Sequence, residues 1–241
     1  MTKSVEKELR KAEIHLKAGE FSEAEAVYKN ILIRFPKNRK AIYGRLKAQA
    51  KIPSKLSPSS ELPQEHMHEL INLYHGRRFE AVLSKTEVMA KLFPNSMGLF
   101  NLQGASYAGL EKYDDAIASY KHAIKIDPNY IDAYSNMGIA LHHKGSLDAA
   151  IEAYNKAIKI DPHHPNTLNN MGISLKDKGE FDKAIARYKQ AIAVKPDYAD
   201  AYSNMGAIFK IKGDFDGAIN CFSEAVHLEP DNANFRHSLG R

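Results

Sequence analysis

A 34-residue period runs through most of this chain, and it restricts the fold more than any other feature of the sequence. Prolines recur at Pro94, Pro128, Pro162, Pro196 and Pro230, each 34 residues after the last. Glycines keep the same step at Gly104, Gly138, Gly172 and Gly206, and again at Gly145, Gly179 and Gly213, with Glu111 in the matching place one repeat earlier. Alanines follow at Ala116, Ala150, Ala184 and Ala218, and at Ala123, Ala157, Ala191 and Ala225. An aromatic series, Tyr120, Tyr154, Tyr188 and Phe222, holds the same phase. Repetition at such a period is the mark of stacked supersecondary units.

Within the unit 131–164, apolar residues return at helical spacing twice, before and after Gly145. Tyr134, Met137 and Leu141 stripe the first helix, and Leu147, Ile151, Tyr154, Ile158 and Ile160 the second. Gly145 ends the first helix, because a left-handed C-terminal cap costs glycine little. Asp148 follows at the start of the next helix, where a carboxylate suits the free N–H groups and the dipole. Pro162 stops the second helix, since proline has no N–H and constrains the residue before it. Gly138 lies inside a helix at a cost of roughly 1 kcal/mol relative to alanine. Close approach of the two helices, with Ala150 opposite, is the expected reason. Such a hairpin cannot bury its apolar stripe alone, so neighbours must stack.

These residues carry a resemblance to the tetratricopeptide repeat (TPR), a helix–turn–helix with aromatic, glycine, alanine and proline slots. Units 97–130, 131–164, 165–198 and 199–232 match it closely, although Gln103 replaces the usual leucine and Leu168 the first aromatic. A weaker unit, 63–96, keeps Phe79 and Pro94 but has Leu70 and Val82 in the glycine and alanine places. Another, roughly 5–38, has Gly19, Phe21, Ala24, Tyr28 and Pro36 in phase. The resemblance implies an all-α fold, a helical-hairpin solenoid wound as a right-handed superhelix. It also implies that first helices line a concave groove and second helices the outside.

Two places break the pattern. After Pro36 an apolar stripe, Ala41, Ile42, Leu46 and Ala50, reads as a lone first helix, and 52–62, with Pro53, Pro58 and four serines, reads as a linker. The expected organisation is an N-terminal TPR unit plus a lone helix over 1–51, the linker 52–62, an array of about five repeats over 63–232, and the start of a truncated or capping helix over 233–241.

Composition narrows the class. At 44% hydrophobic and 26% charged the chain is ordinary for a globular protein. It holds no apolar run of spanning length and no signal-peptide core, which makes cytoplasm the default address. One cysteine, Cys221, excludes an internal disulfide framework, and its place on a second helix makes it a packed side chain rather than a reactive thiol. Basic charge is confined to the N-terminus: residues 1–62 carry fourteen Lys/Arg against seven Glu and no Asp. Such a segment favours an acidic partner or surface, although charge runs mostly solvate helix faces.

Candidate binding residues sit on the first helices, turned away from the hairpin core. Asn136, Asn170 and Asn204 recur 34 apart, each two residues before the internal glycine. Stacking places these amides in a ladder, and an amide offers both donor and acceptor to the backbone of an extended peptide. They resemble the groove asparagines of the TPR region of O-GlcNAc transferase; in unit 97–130 Leu102 takes that place. Around the ladder lie Asp132, Asn166 and Asp200 near the helix starts, and His142, Lys176 and Lys210 near the helix ends, where they also suit the helix dipole. The carboxylate clamp of chaperone-tail-binding TPR domains is not matched, since Ser or Asn and Asp stand where its lysines belong.

No catalytic constellation is present: there is no phosphate-cradling loop, zincin motif or nucleophile elbow. The pairs His66/His68, His142/His143 and His163/His164 lack completing ligands, and adjacent helical residues point about 100° apart, so neither metal nor cofactor is expected. Nucleic-acid binding has no recognition fold behind it. The sequence thus points to a scaffold that holds an extended or helical protein segment in the groove. One alternative is the substrate-recruiting region of a larger glycosyltransferase- or sulfotransferase-type enzyme with its catalytic domain beyond Arg241. Another is self-association through the open end of the solenoid.

Overall fold

The computed structural model describes residues 3–49 and 62–240, and over these the chain forms fourteen helices and no strand. The chain divides into two compact units, residues 1–106 and 107–241. All but Leu62 of the linker expected at 52–62 lies outside the described residues.

In the first unit, α1 (Lys3–Ala18) and α2 (Phe21–Arg34) form a hairpin and α3 (Arg39–Gln49) packs against both. Leu9, Ala12, Tyr28, Ile31 and Ala41 are buried together at their junction. The apolar stripe of α3 also serves a second core, where Leu46 meets Leu62, Leu70 of α4 (Gln64–His75), and Val82 and Met89 of α5 (Phe79–Ala90). Helix α6 (Met97–Gly109) spans the division between the units.

The second unit opens with α7 (Tyr113–Ile126) and repeats one hairpin three times: α8 (Ile131–His143) with α9 (Leu147–Ile160), α10 (Pro165–Asp177) with α11 (Phe181–Val194), and α12 (Ala199–Ile211) with α13 (Phe215–Leu228). A short α14 (Ala233–Leu239) follows and buries Phe235 against Ala199 and Ala225. The aromatic series is the centre of each hairpin: Tyr120, Tyr154 and Tyr188 are all fully buried. Burying such a side chain contributes about 1.5–3 kcal/mol, so the repeated aromatic is a main source of hairpin stability.

Two local expectations change in detail. The nearest neighbour at Gly138 is the hairpin aromatic: a Cβ there would lie 2.4 Å from the Tyr154 ring, and one at Gly172 would lie 2.4 Å from the Tyr188 ring. The helical glycine therefore makes room for the aromatic of its own hairpin. Asp148 does more than serve its helix start, for its carboxylate accepts from Lys178 Nζ of the next hairpin at 2.7 Å. Asp182 meets Lys212 in the same way at 2.7 Å, and Asp114 meets Lys144. Being exposed, each pair is weak, yet their recurrence traces the seam between successive hairpins. Beside that seam Lys178 and Lys183 hold the Glu180 carboxyl down at about 2.

The turn between the two helices of a hairpin demands a left-handed residue. Gly145, Gly179 and Gly213 supply it with φ of 83°, 81° and 79°, whereas Glu111 is forced to 59°. For a non-glycine residue this conformation costs about 1–2 kcal/mol, partly offset by the extra unfolded-state freedom of glycine. Glu111→Gly is expected to stabilise the chain by about 0.5–1 kcal/mol; a lower midpoint in chemical denaturation would contradict this.

Candidate functional site

Three first helices, α8, α10 and α12, pack side by side in the second unit. Each begins after the proline-marked turn and is held by its hairpin aromatic, so residues 34 apart take equivalent places on adjacent helices. Asn136, Asn170 and Asn204 are all half-buried there. Asn170 has no hydrogen-bond partner among the described residues, which leaves both ends of its amide open. Asn204 is tied sideways: its Nδ2 donates to Oδ1 of Asn169 on α10 at 3.1 Å. Asn136 is engaged within the chain as well.

Asn169 is a site residue that the 34-residue pattern does not single out. It is buried at 4% exposure, and its equivalents are Ser135 and Ser203. A buried amide needs partners, and Asn204 provides one. A second lateral link joins α8 to α10, where Thr167 Oγ1 lies 3.0 Å from Ser135 Oγ. His164 Nδ1 accepts from the Thr167 backbone N–H at 3.3 Å and lies 2.7 Å from its hydroxyl, capping α10. The only hint of Asn169 in the sequence is the doublet Asn169–Asn170, which departs from the Ser–Asn of the neighbouring repeats.

The flanking residues separate into engaged and open groups. Asn166 Oδ1 accepts from the Tyr198 hydroxyl at 3.1 Å. Burial, then Asp200, pushes the Tyr198 phenol up, which keeps it a donor. His142 Nε2 lies 2.8 Å from Asp177 Oδ2, and Lys176 Nζ is 3.5 Å from Asp177 Oδ1. Asp132, Asp200 and Lys210 are exposed with no ion-pair partner among the described residues. The face thus offers one open amide, a half-used amide at Asn204, free carboxylates near the helix starts and a free ammonium at a helix end. It can exchange hydrogen bonds with a backbone but carries no nucleophile–base pair. Among the described residues no three His, Cys, Asp or Glu side chains are placed to hold a metal ion, and no helix is long and apolar enough to cross a membrane. Cys221 is buried, and its burial, reinforced by Asp214, pushes the thiol up, away from reactivity.

Comparison with known proteins adds the family. Models of the TPR repeat match residues 104–145 and 172–213, and tetratricopeptide-repeat models match 131–164, 199–232, 153–186 and 9–53. No curated protein matches the chain significantly. Among solved structures, that of MamA is 27% identical, covering 68% of this chain and 95% of its own, with a TM-score of 0.60. TTC0263, a thermophilic TPR protein in Thermus thermophilus, is 22% identical over 73% of this chain and 96% of its own, with a TM-score of 0.62. YrrB, described as a TPR protein with an unusual peptide-binding site, is 18% identical over 76% of this chain and 100% of its own, with a TM-score of 0.58. With the period, the hairpins and these matches in agreement, the chain belongs to the tetratricopeptide-repeat family.

Proposed function

We propose that this chain is a protein-interaction scaffold that binds an extended protein segment across the face of α8, α10 and α12. The observation that carries this is the open amide of Asn170, flanked at one repeat on either side by Asn136 and Asn204. A half-buried amide with no partner among the described residues keeps a donor and an acceptor available, and a passing peptide N–H and C=O would engage them without regard to side chains. The Asn204–Asn169 bond supports the same role, because it fixes the neighbouring amide and leaves its oxygen free to accept. Asp132 and Asp200 on one side, and Lys210 on the other, would then select among segments by charge.

The test starts with capture of a partner on the full chain and its identification by mass spectrometry. Hydrogen exchange of the complex is expected to show added protection in α8, α10 and α12, with α9, α11 and α13 little changed. Protection confined to the second helices would overturn the assignment of the face.

A further inference from the structure

A cleft in the first unit points to a second binding site with a different chemistry. It lies between α1 and α3 and encloses about 280 Å³. Lys17 enters from α1, and Lys40 and Lys47 from α3. All three are exposed, and none has an ion-pair or hydrogen-bond partner among the described residues. Three other cations of the unit are paired: Arg34 with Glu8, Arg45 with Glu25, and Lys85 with Glu69. The cleft thus gathers three unpaired lysines, in the segment 1–62 where Lys and Arg outnumber Glu by seven.

The floor is built for close approach. Gly44 stands where the second unit has its ladder asparagine, and a Cβ there would lie 2.1 Å from Tyr28 Cζ. The tip of the Tyr28 ring thus rests on bare backbone and lines the cavity. Burial, with Glu13 adding to it, pushes this phenol up to about 12, so it remains a hydroxyl donor. Lys40 also borders a shallow, largely apolar depression that includes Phe35 and Pro36, and Phe35 is 40% exposed.

We infer that this cleft binds an acidic segment of a partner protein, whose carboxylates meet Lys17, Lys40 and Lys47 and accept from the Tyr28 hydroxyl. Charge-assisted contacts of this kind are the stronger hydrogen bonds. The lining favours a peptide over a nucleic-acid backbone. Glu13 and Leu16 share the wall with the lysines, and they would repel or fail to contact an evenly charged strand. A peptide can place a neutral or apolar residue opposite them. The site is independent of the asparagine face, since it is built wholly from the first unit.

The probe is a short blocked peptide of alternating glutamate and serine, compared with its glutamine counterpart, titrated into the full chain. The glutamate peptide is expected to bind, more weakly as salt rises, and the glutamine peptide to show no binding. Lys40→Gln/Lys47→Gln should lower affinity about tenfold or more, and Tyr28→Phe about threefold without changing the salt dependence, in line with one lost hydrogen bond. Lys29→Gln, an exposed lysine that does not line the cleft, should change nothing. Unaltered thermal melts would establish that the variants fold. Equal binding of both peptides, an unaffected lysine double variant, or tighter binding of an oligodeoxynucleotide of equal charge would each overturn the inference.

Discussion

Gly172→Ala is expected to destabilise the second unit by about 1–3 kcal/mol, even though alanine is the better helix former. The new Cβ would stand 2.4 Å from Cε1 and 2.8 Å from Cδ1 of Tyr188, a ring that is fully buried in its hairpin. A rigid ring in a packed core cannot yield without displacing its neighbours, so overpacking outweighs the gain in propensity. Gly206→Ala is the matched comparison. Its Cβ would lie 3.0 Å from the Phe222 ring and 3.1 Å from Cys221 Cβ, a tight contact that a shift of a few tenths of an ångström relieves, rather than an overlap. The midpoint of thermal unfolding should fall by about 2–4 °C per kcal/mol for a chain of this size, and further for Gly172→Ala than for Gly206→Ala. Equal midpoints would mean that the glycine is not placed for the ring.

The contrast shows where sequence reasoning reaches and where it stops. The 34-residue step yields the number of helices in each hairpin, their turns and the buried aromatic, because each depends on residue type within one short window. Contacts across helices depend on rotamers and crossing geometry, which periodicity does not contain. Spacing alone does not reveal that Gly138 faces the Tyr154 ring, and it leaves Asp148 at its own helix start, whereas the carboxylate reaches Lys178. The candidate face divides in the same way. The positions of Asn136, Asn170 and Asn204 follow from their spacing, but their use of hydrogen bonds does not. Asn204 commits its N–H to Asn169, a departure from the serine at the equivalent places, and only the fold reveals that pairing. The cleft over Tyr28 is equally hidden from the sequence, since it requires Gly44 to replace the ladder asparagine.

Replacing all three asparagines by alanine should abolish most of the affinity for a captured partner. At about 0.5–1.5 kcal/mol per amide contact, three contacts correspond to a loss between about tenfold and a thousandfold, reduced where the sites couple. Stability will not be untouched, because Asn204→Ala strips buried Asn169 of its partner. That orphaned amide is expected to cost about 1–3 kcal/mol. The triple variant therefore reads binding and packing together, and a melt must accompany it.

Asn170→Ala separates the two, since Asn170 has no partner among the described residues to lose. The most direct measurement is the dissociation constant of the captured partner for Asn170→Ala against the parent chain, by calorimetric titration, with thermal melts of both. Binding across α8, α10 and α12 predicts an affinity lower by about two- to twelvefold with the melting midpoint kept or slightly raised, as alanine is the better helix former. Unchanged affinity, or a loss of affinity matched by a fall in the melting midpoint, would contradict it.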